Sequence, residues 1–345
     1  MHGQKPRLLI CVGEFVEGAG QSRVVLEEVQ HLNDRYEITI ASNLIVWNSP
    51  INATLEHLKE GRNTVAAALH LRSIIRRHDI VHCHDSLVTM LIAATASKPW
   101  VVTAHGIAPI RLRSTMLNRL QGAITLLAYP ILYRRATELV AISPYIRDWL
   151  ISHARKSTTL IPNGAPPVSK QVERRAPTSP TLLYVGEISR RKGLKDLIRS
   201  AALLPSDVNL TLVGRGDISQ FRRFETDSGA SISYLGLVTD SQLSDLYEQA
   251  TCVISASYWE GFGLPIVEGF AHGTPALVRN STNMRNLILD SSAGKLFNTI
   301  DQIPLLLREI IDQWAQLHSH ALDYARHHSW EDTFEQYHRL FQNLI

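Results

Sequence analysis

Three groups of residues in this chain have types and spacings suited to chemistry. The first is Glu260-Gly-Phe-Gly-Leu-Pro-Ile-Val-Glu268, where two carboxylates flank a glycine-rich turn. A β-like run, Thr251 to Ser255, leads into it, and Pro265 sits where a first helical residue belongs. The stretch reads as strand, tight loop and helix start, and the free N–H groups of a helix start favour anions and hydrogen-bond acceptors. Carboxylates repel phosphate, so the two acids suit neutral hydroxyls instead, and the combination suggests a ligand carrying both phosphate and sugar. The alternative is a plain strand-to-helix turn, with Glu260 solvated and Glu268 capping the helix.

The second group follows the apolar run Thr181 to Val185: Gly186-Glu-Ile-Ser-Arg190-Arg191-Lys192-Gly193, then a helical pattern. Three cations at the positive end of a helix cost roughly a few tenths of a kcal/mol each rather than helping. A resident anion would offset that cost. Lys192 suits a point-charge contact with phosphate, and Arg191 or Arg190 a forked one; three solvated surface charges are the alternative. The third group is histidine. His82 and His84 are two apart on a strand and share a face. No third metal ligand is evident beside them, which favours satisfied core or cleft histidines over a metal pair. His105 ends another apolar run, before Gly106, where a strand's carboxyl end would place it at a ligand site.

These residues must be positioned by the elements around them. Short apolar runs (Arg7 to Val12, Tyr36 to Ala41, Ile80 to His84, Trp100 to Ala104, Glu138 to Ile142, Thr158 to Ile161) alternate with helical patterns through the first half. Residues Asn163 to Pro180 carry Pro166, Pro167, Pro177 and Pro180 and read as a linker. The alternation restarts at Thr181 to Val185 and continues through Val208 to Val213, Ser231 to Leu235, the Thr251 run and Pro275 to Val278. A closing amphipathic helix is predicted from Trp330, Phe334, Tyr337, Leu340 and Phe341. Such alternation implies an α/β fold of two Rossmann-like parallel-sheet domains, with ligands at the carboxyl ends of the strands and the active site expected in a cleft between the domains. The expected boundaries are 1–165 for the first domain, 166–180 for the linker, 181–328 for the second domain and 329–345 for the last helix. Gly18-Ala19-Gly20 and Gly214-Arg215-Gly216 both follow strands, but neither has the third glycine of a dinucleotide fingerprint, which disfavours hydride transfer.

Composition narrows the class. In 345 residues, 45% are apolar and 19% charged, as in globular rather than disordered chains. A net charge of +3 gives no footprint for nucleic acid, and none is expected as a partner. Cys11, Cys83 and Cys252 fall in apolar runs and read as buried reduced thiols, which fits a cytoplasmic location. The start of the chain reads as neither a signal peptide nor a membrane span, and Ala123 to Tyr133 is too short to cross a bilayer. From Ser86 to Thr137 there are six Lys or Arg and no Asp or Glu. Arg111, Arg113 and Arg119 lie there beside Ile110, Leu112, Met116, Leu117 and Leu120, so this segment is expected either to rest on anionic lipid at the inner face of a membrane or to form an ordinary solvated helix face.

Taken together, these motifs resemble the retaining nucleotide-sugar glycosyltransferases of family 4, which have the GT-B fold. The resemblance covers nearly the whole chain. It rests on Glu260 to Glu268, Val185-Gly with Arg191-Lys-Gly, Val213-Gly-Arg-Gly, Tyr234-Leu-Gly-Leu-Val, Gly273-Thr-Pro and Ser329-Trp-Glu. In the first half it rests on Val81-His-Cys-His, Thr103-Ala-His-Gly, Ala141-Ile-Ser and Ile161-Pro-Asn-Gly. It implies that Lys192, helped by Arg191, contacts a donor diphosphate, with Arg190 and Gly214 nearby. It also implies that Glu268 holds the ribose hydroxyls and that Glu260, with the peptide N–H groups of Phe262, Gly263 and Leu264, holds the transferred sugar and phosphate. His105 would meet the sugar from the opposite domain, the loop from Gly18 to Gly20 would close over the phosphates, and the last helix would return to the first domain. The implied substrate is a nucleotide-diphosphate sugar, UDP- or GDP-linked, and the acceptor a glycan or lipid-linked glycan in envelope or polysaccharide synthesis. No cofactor is expected and, with no Asp-x-Asp motif, no metal. Two departures stand out: Glu187 occupies a position where many members have Arg, and Asn286 one where Glu is frequent. They keep open a non-catalytic nucleotide-sugar-binding protein, while a sugar-nucleotide epimerase on the same fold is a further alternative.

Overall fold

The structure, a computed structural model, describes residues 4–59, 63–106, 109, 116–168, 177–222 and 229–345. Most of the first half, together with Trp330–Ile345, forms one compact unit, and Gly164–Ser329 falls in the other. The first unit is built on β1 (Arg7–Val16), β2 (Glu37–Val46), β3 (Thr54–His57), β4 (Ile80–His84), β5 (Trp100–Ala104), β6 (Glu138–Ala141) and β7 (Thr159–Leu160). They form one sheet of order β3-β2-β1-β4-β5-β6-β7, with every pair parallel. Helices α1 (Gly20–Leu32), α2 (Thr64–Arg76), α3 (Leu87–Ala93), α4 (Met116–Arg135) and α5 (Pro144–Ala154) make the crossovers. Leu8 to Val12 of β1 and all of β4 are buried, as a parallel sheet covered on both faces requires.

The second unit repeats the plan with β8 (Thr181–Val185), β9 (Asn209–Val213), β10 (Ser231–Gly236), β11 (Cys252–Ser255), β12 (Ala276–Arg279) and β13 (Gly294–Phe297). Their order is β10-β9-β8-β11-β12-β13, again all parallel. Its helices are α6 (Leu194–Ala201), α7 (Ser219–Arg222), α8 (Asp240–Gln249), α9 (Leu264–Ala271), α10 (Thr282–Ser291), α11 (Ile303–Asp312) and α12 (Trp314–His327). The fold is therefore two Rossmann-like parallel sheets. In each, the strand order reverses beside the first strand, between β1 and β4 and between β8 and β11, and ligands of such sheets bind at those switch points.

The last helix, α13 (Trp330–Gln342), packs on the first unit. Trp330, Phe334, Tyr337 and Phe341 recur at helical spacing and are buried. Its polar links include Thr333 Oγ1 to the Pro162 carbonyl (2.9 Å), Tyr36 Oη with His338 Nδ1 (2.9 Å) and Arg35 with Glu335 (2.6 Å). Sequence patterning gives no reading for β3, an edge strand of only four residues, or for α10, β13, α11 and α12 beyond Val278. Cys11 and Cys83 face each other across β1 and β4, and both are buried thiols, as is Cys252. Among the described residues no helix is long and apolar enough to cross a membrane.

Candidate active site

In the second unit, the loops after β8 and β11 flank the switch point, and they carry the residues singled out above. Gly193, between Lys192 and α6, has φ +73°, and a Cβ there would lie 2.0 Å from the Ala256 carbonyl oxygen. Only glycine permits that approach, and it draws the two loops together. The Tyr258 N–H donates to the Arg191 carbonyl (3.2 Å) and adds a main-chain tie. As a result Lys192 Nζ meets Glu260 Oε1 at 2.5 Å, in a pair whose side chains are 17% and 12% exposed. Ser257 Oγ donates to the same carboxylate oxygen (2.8 Å). Burial would raise the Glu260 pKa, but the Lys192 charge and hydrogen bond, with Arg191 and Ser257, outweigh it and hold the carboxylate below its ordinary range.

The neighbouring charges are also paired. Arg191 lies 3.2 Å from Glu187, so this acid meets one of the three cations, while Arg190 is exposed. Two of the three cations at the start of α6, Arg191 and Lys192, thus have carboxylate partners within the protein. Glu260 and Lys192 are in direct contact across the two loops. Pro265 is the second residue of α9, after Leu264, with Gly263 (φ +111°) at the N-cap, so the helix begins one residue earlier than its proline suggests. Phe262 is buried in the turn. Glu268 lies inside α9 and accepts from Tyr247 Oη (2.8 Å), which rules out the capping role. Gly214 follows β9, where its N–H donates to the Gly236 carbonyl (2.8 Å).

Several supporting residues escape sequence reasoning. Thr282 has φ +45°, a strained conformation for a β-branched residue, and its Oγ1 accepts the Glu260 N–H (3.0 Å). Arg279 holds the Ala256 carbonyl (2.9 Å) and Asp196 (2.5 Å), and Tyr258 Oη also donates to Asp196 (2.7 Å). Asn283 Nδ2 donates to the Phe262 carbonyl (2.8 Å). These bonds brace the Glu260 loop from α6, β12 and α10. Asn286 sits half-buried on α10.

In the first unit, Gly18 (φ +76°) turns the chain after β1 and Gly20 opens α1. His105 follows β5, and its main chain is gripped by Asp85, whose Oδ2 accepts the His105 N–H (2.5 Å) and the Gly106 N–H (3.0 Å). Tyr133 Oη donates to the other oxygen of Asp85 (2.6 Å). Burial pushes the Asp85 carboxyl up to about 6 against these three donors. The His105 ring, half-buried, stacks on His84 at 5.1 Å. His82 and His84 share a third partner that sequence spacing does not reveal: the buried Glu28 of α1, 2.7 Å from His82 Nδ1 and 3.0 Å from His84 Nε2. Ligand atoms of these three residues lie within 4.8 Å of one another, a spacing a metal ion could span. Each of the four ring nitrogens, however, has a hydrogen-bond partner within the protein, as expected for satisfied core histidines. Arg111 and Arg113 lie outside the described residues; Arg119 is exposed on α4.

The sequence and the fold both resemble those of known proteins. Residues 18–168 match the model of Glycosyltransferase Family 4, and residues 167–327 that of Glycosyl transferases group 1. The O-antigen chain mannosyltransferase B of Escherichia coli is 29% identical over 169 residues, 45% of this chain and 43% of that protein. The phosphatidyl-myo-inositol mannosyltransferase of Mycolicibacterium smegmatis is 26% identical over 230 residues, 63% of this chain and 58% of that protein. The matched stretch covers less than two thirds of either relative. The Anabaena protein HepE, solved in complex with UDP-glucose, superposes with a TM-score of 0.79 at 17% identity over 98% of this chain and 100% of its own, a likeness of fold. The chain belongs to the group 1 glycosyltransferases of the family 4 type.

Proposed function

We propose that this family 4 chain is a retaining, metal-independent glycosyltransferase that moves a sugar from a UDP- or GDP-linked donor to a hydroxyl of a glycan or lipid-linked glycan. The observation that carries the reading is the Lys192–Glu260 contact at the switch point of the second sheet, where phosphate charge and sugar hydroxyls would be recognised side by side. In this reading Lys192, with Arg191 and Arg190, takes the diphosphate, while Glu260 and the N–H groups of Phe262, Gly263 and Leu264 hold the sugar and its phosphate. Glu268 holds the ribose, Gly214 and the Gly18–Gly20 turn line the donor, and His105 meets the sugar. The fixed cation and helix start supply the positive charge that the leaving diphosphate needs, which makes a metal unnecessary. The bond from the anomeric carbon to the diphosphate breaks and the acceptor oxygen bonds to that carbon on the same face. The acceptor's proton passes to the departing phosphate oxygen.

The UDP-glucose bound by HepE and the acceptors implied by the two mannosyltransferases' names support the substrate classes. We also place the protein at the inner face of an anionic membrane. Met116, Leu120, Ile124, Leu127 and Ile131 fall within one face of α4 and are each at least 50% exposed, with Arg119 on its flank and Arg134 and Arg135 at its end. An apolar stripe bordered by charge of one sign suits lipid. The test is to offer UDP-, GDP- and ADP-sugars with candidate acceptors, measuring nucleoside diphosphate release and the anomeric configuration of the product. Release with retention is expected; inversion, or no release with any donor, refutes the reading.

A further inference from the structure

A buried chain of hydrogen bonds runs from His105 into the core of the first unit, and the proposed chemistry does not use it. His105 Nε2 lies 2.9 Å from His84 Nδ1, and His84 Nε2 lies 3.0 Å from Glu28 Oε2. On the other side, His82 Nδ1 lies 2.7 Å from Glu28 Oε1, and Thr103 Oγ1 bridges His82 Nε2 (2.7 Å) and Tyr337 Oη (2.7 Å). Glu28, His82 and His84 are at most 1% exposed. The chain thus extends from the carboxyl end of β5 through β4 and α1 to α13.

We propose that Glu28 and His84 are positioning residues that fix His105 as its Nε2–H tautomer, leaving Nδ1 as a hydrogen-bond acceptor for a substrate hydroxyl. A carboxylate only accepts, so each imidazole nitrogen facing Glu28 must carry a proton. His84 therefore has its proton on Nε2. A neutral His84 has none left for Nδ1, which must accept from His105 Nε2–H. His105 Nδ1 then carries no proton, and it has no partner among the described residues. Charge supports the assignment. Burial would raise the Glu28 pKa, but the charge and hydrogen bond of His82 and the hydrogen bond from His84 bring it down to about 2, so it is ionised at neutral pH. Burial, followed by repulsion from His82, lowers the His84 pKa; burial, then His84 and His82, lowers that of His105 well below its usual value. Partners of this kind fix a histidine's tautomer and ring orientation in metal sites, and hydrogen bonds to the far ring nitrogen can do the same for a histidine that meets an organic substrate. The Asp85 grip on the His105 and Gly106 N–H groups holds the main chain while Glu28 and His84 hold the ring.

The catalytic half of this proposal rests on His105 meeting substrate, so two readouts are kept separate. The first is the 15N spectrum of histidine-labelled full-length protein, with His105 assigned by loss of its signals in His105→Gln. Wild type should show His105 neutral and wholly protonated on Nε2 at pH 7. Glu28→Leu and His84→Leu should each convert it to a mixture of tautomers or to the Nδ1–H form. A His105 that is Nδ1-protonated or charged in wild type overturns the proposal even if neither variant folds, as does one that stays wholly Nε2–H in a folded variant. The second readout is turnover. Both variants should lower kcat on the order of tenfold to a hundredfold with little change in donor KM, the range seen when a histidine loses the partner that orients it. Tautomers that shift as described without any loss of kcat would leave the Glu28–His84 relay standing and remove His105 from the reaction.

Discussion

Replacing Lys192 by Met strands the Glu260 carboxylate, and replacing Glu260 by Gln strands the ammonium. Exposed ion pairs contribute only about 0.2–1 kcal/mol, whereas breaking a buried one costs about 3–5 kcal/mol. With side chains 17% and 12% exposed, this pair lies between those limits, and about 2 kcal/mol per single substitution is expected. For a unit of this size that lowers Tm by about 4–8 °C. The double variant Lys192→Met/Glu260→Gln leaves no unpaired charge, so it should be more stable than the sum of the singles predicts, by about 1 kcal/mol or more. Denaturant unfolding of the four proteins, followed by circular dichroism and checked by calorimetry, measures the cycle. Additivity within about 0.5 kcal/mol would refute the argument that the two loops are joined by this contact.

Other consequences are equally open to measurement. Glu28, held near a pKa of about 2 against about 4.3 unfolded, contributes about 3 kcal/mol above pH 4.3 that is lost as pH falls toward 2. Asp85, raised to about 6, works with the opposite sign between about pH 6 and 4. Unfolding free energies should therefore fall more steeply for wild type than for Glu28→Gln as pH drops from 5 to 2, and equal slopes would contradict the buried-carboxylate account. Gly193→Ala places a Cβ against the Ala256 carbonyl at a positive φ, so a loss of about 2 kcal/mol or more should accompany loss of nucleotide binding; unchanged Tm and affinity would contradict the loop geometry. Leu120→Glu with Leu127→Glu should weaken co-sedimentation with anionic vesicles at low salt at least about tenfold, and equal sedimentation would remove the membrane reading of α4.

Much of the framework is legible in the chain because buried parallel strands must be continuous apolar runs. Ile80 to His84 and Trp100 to Ala104 are read to the residue, and the turns that follow β8 and β11 are located, the second to within a residue. The contacts between turns are harder. Lys192 and Glu260 are 68 positions apart, and only the reversal of strand order beside β8 makes them neighbours. Glu28 left a fainter trace: it is a carboxylate on the face of α1 that also presents Val24, Val25, Val29 and Leu32 to the core, a placement that demands a buried partner. Nothing in the spacing says that the partners are His82 and His84, which are supplied by a strand crossing under the helix. The positive φ of Thr282 has no sequence signature at all, because its side chain argues against that conformation. The edge strand β3 is too short and too polar for periodicity to register.

If the second unit binds a nucleotide diphosphate through Lys192 and its ribose through Glu268, as proposed, calorimetric titration will show it. UDP, GDP and ADP are each titrated into wild type, Lys192→Ala and Glu268→Ala. At least one nucleotide should bind wild type, with affinity falling about tenfold or more in Lys192→Ala as a charge-assisted contact is lost. Glu268→Ala should lose the preference for the ribonucleotide over its deoxyribose counterpart. Binding unaltered by either substitution, or no binding of any of the three, would contradict the account.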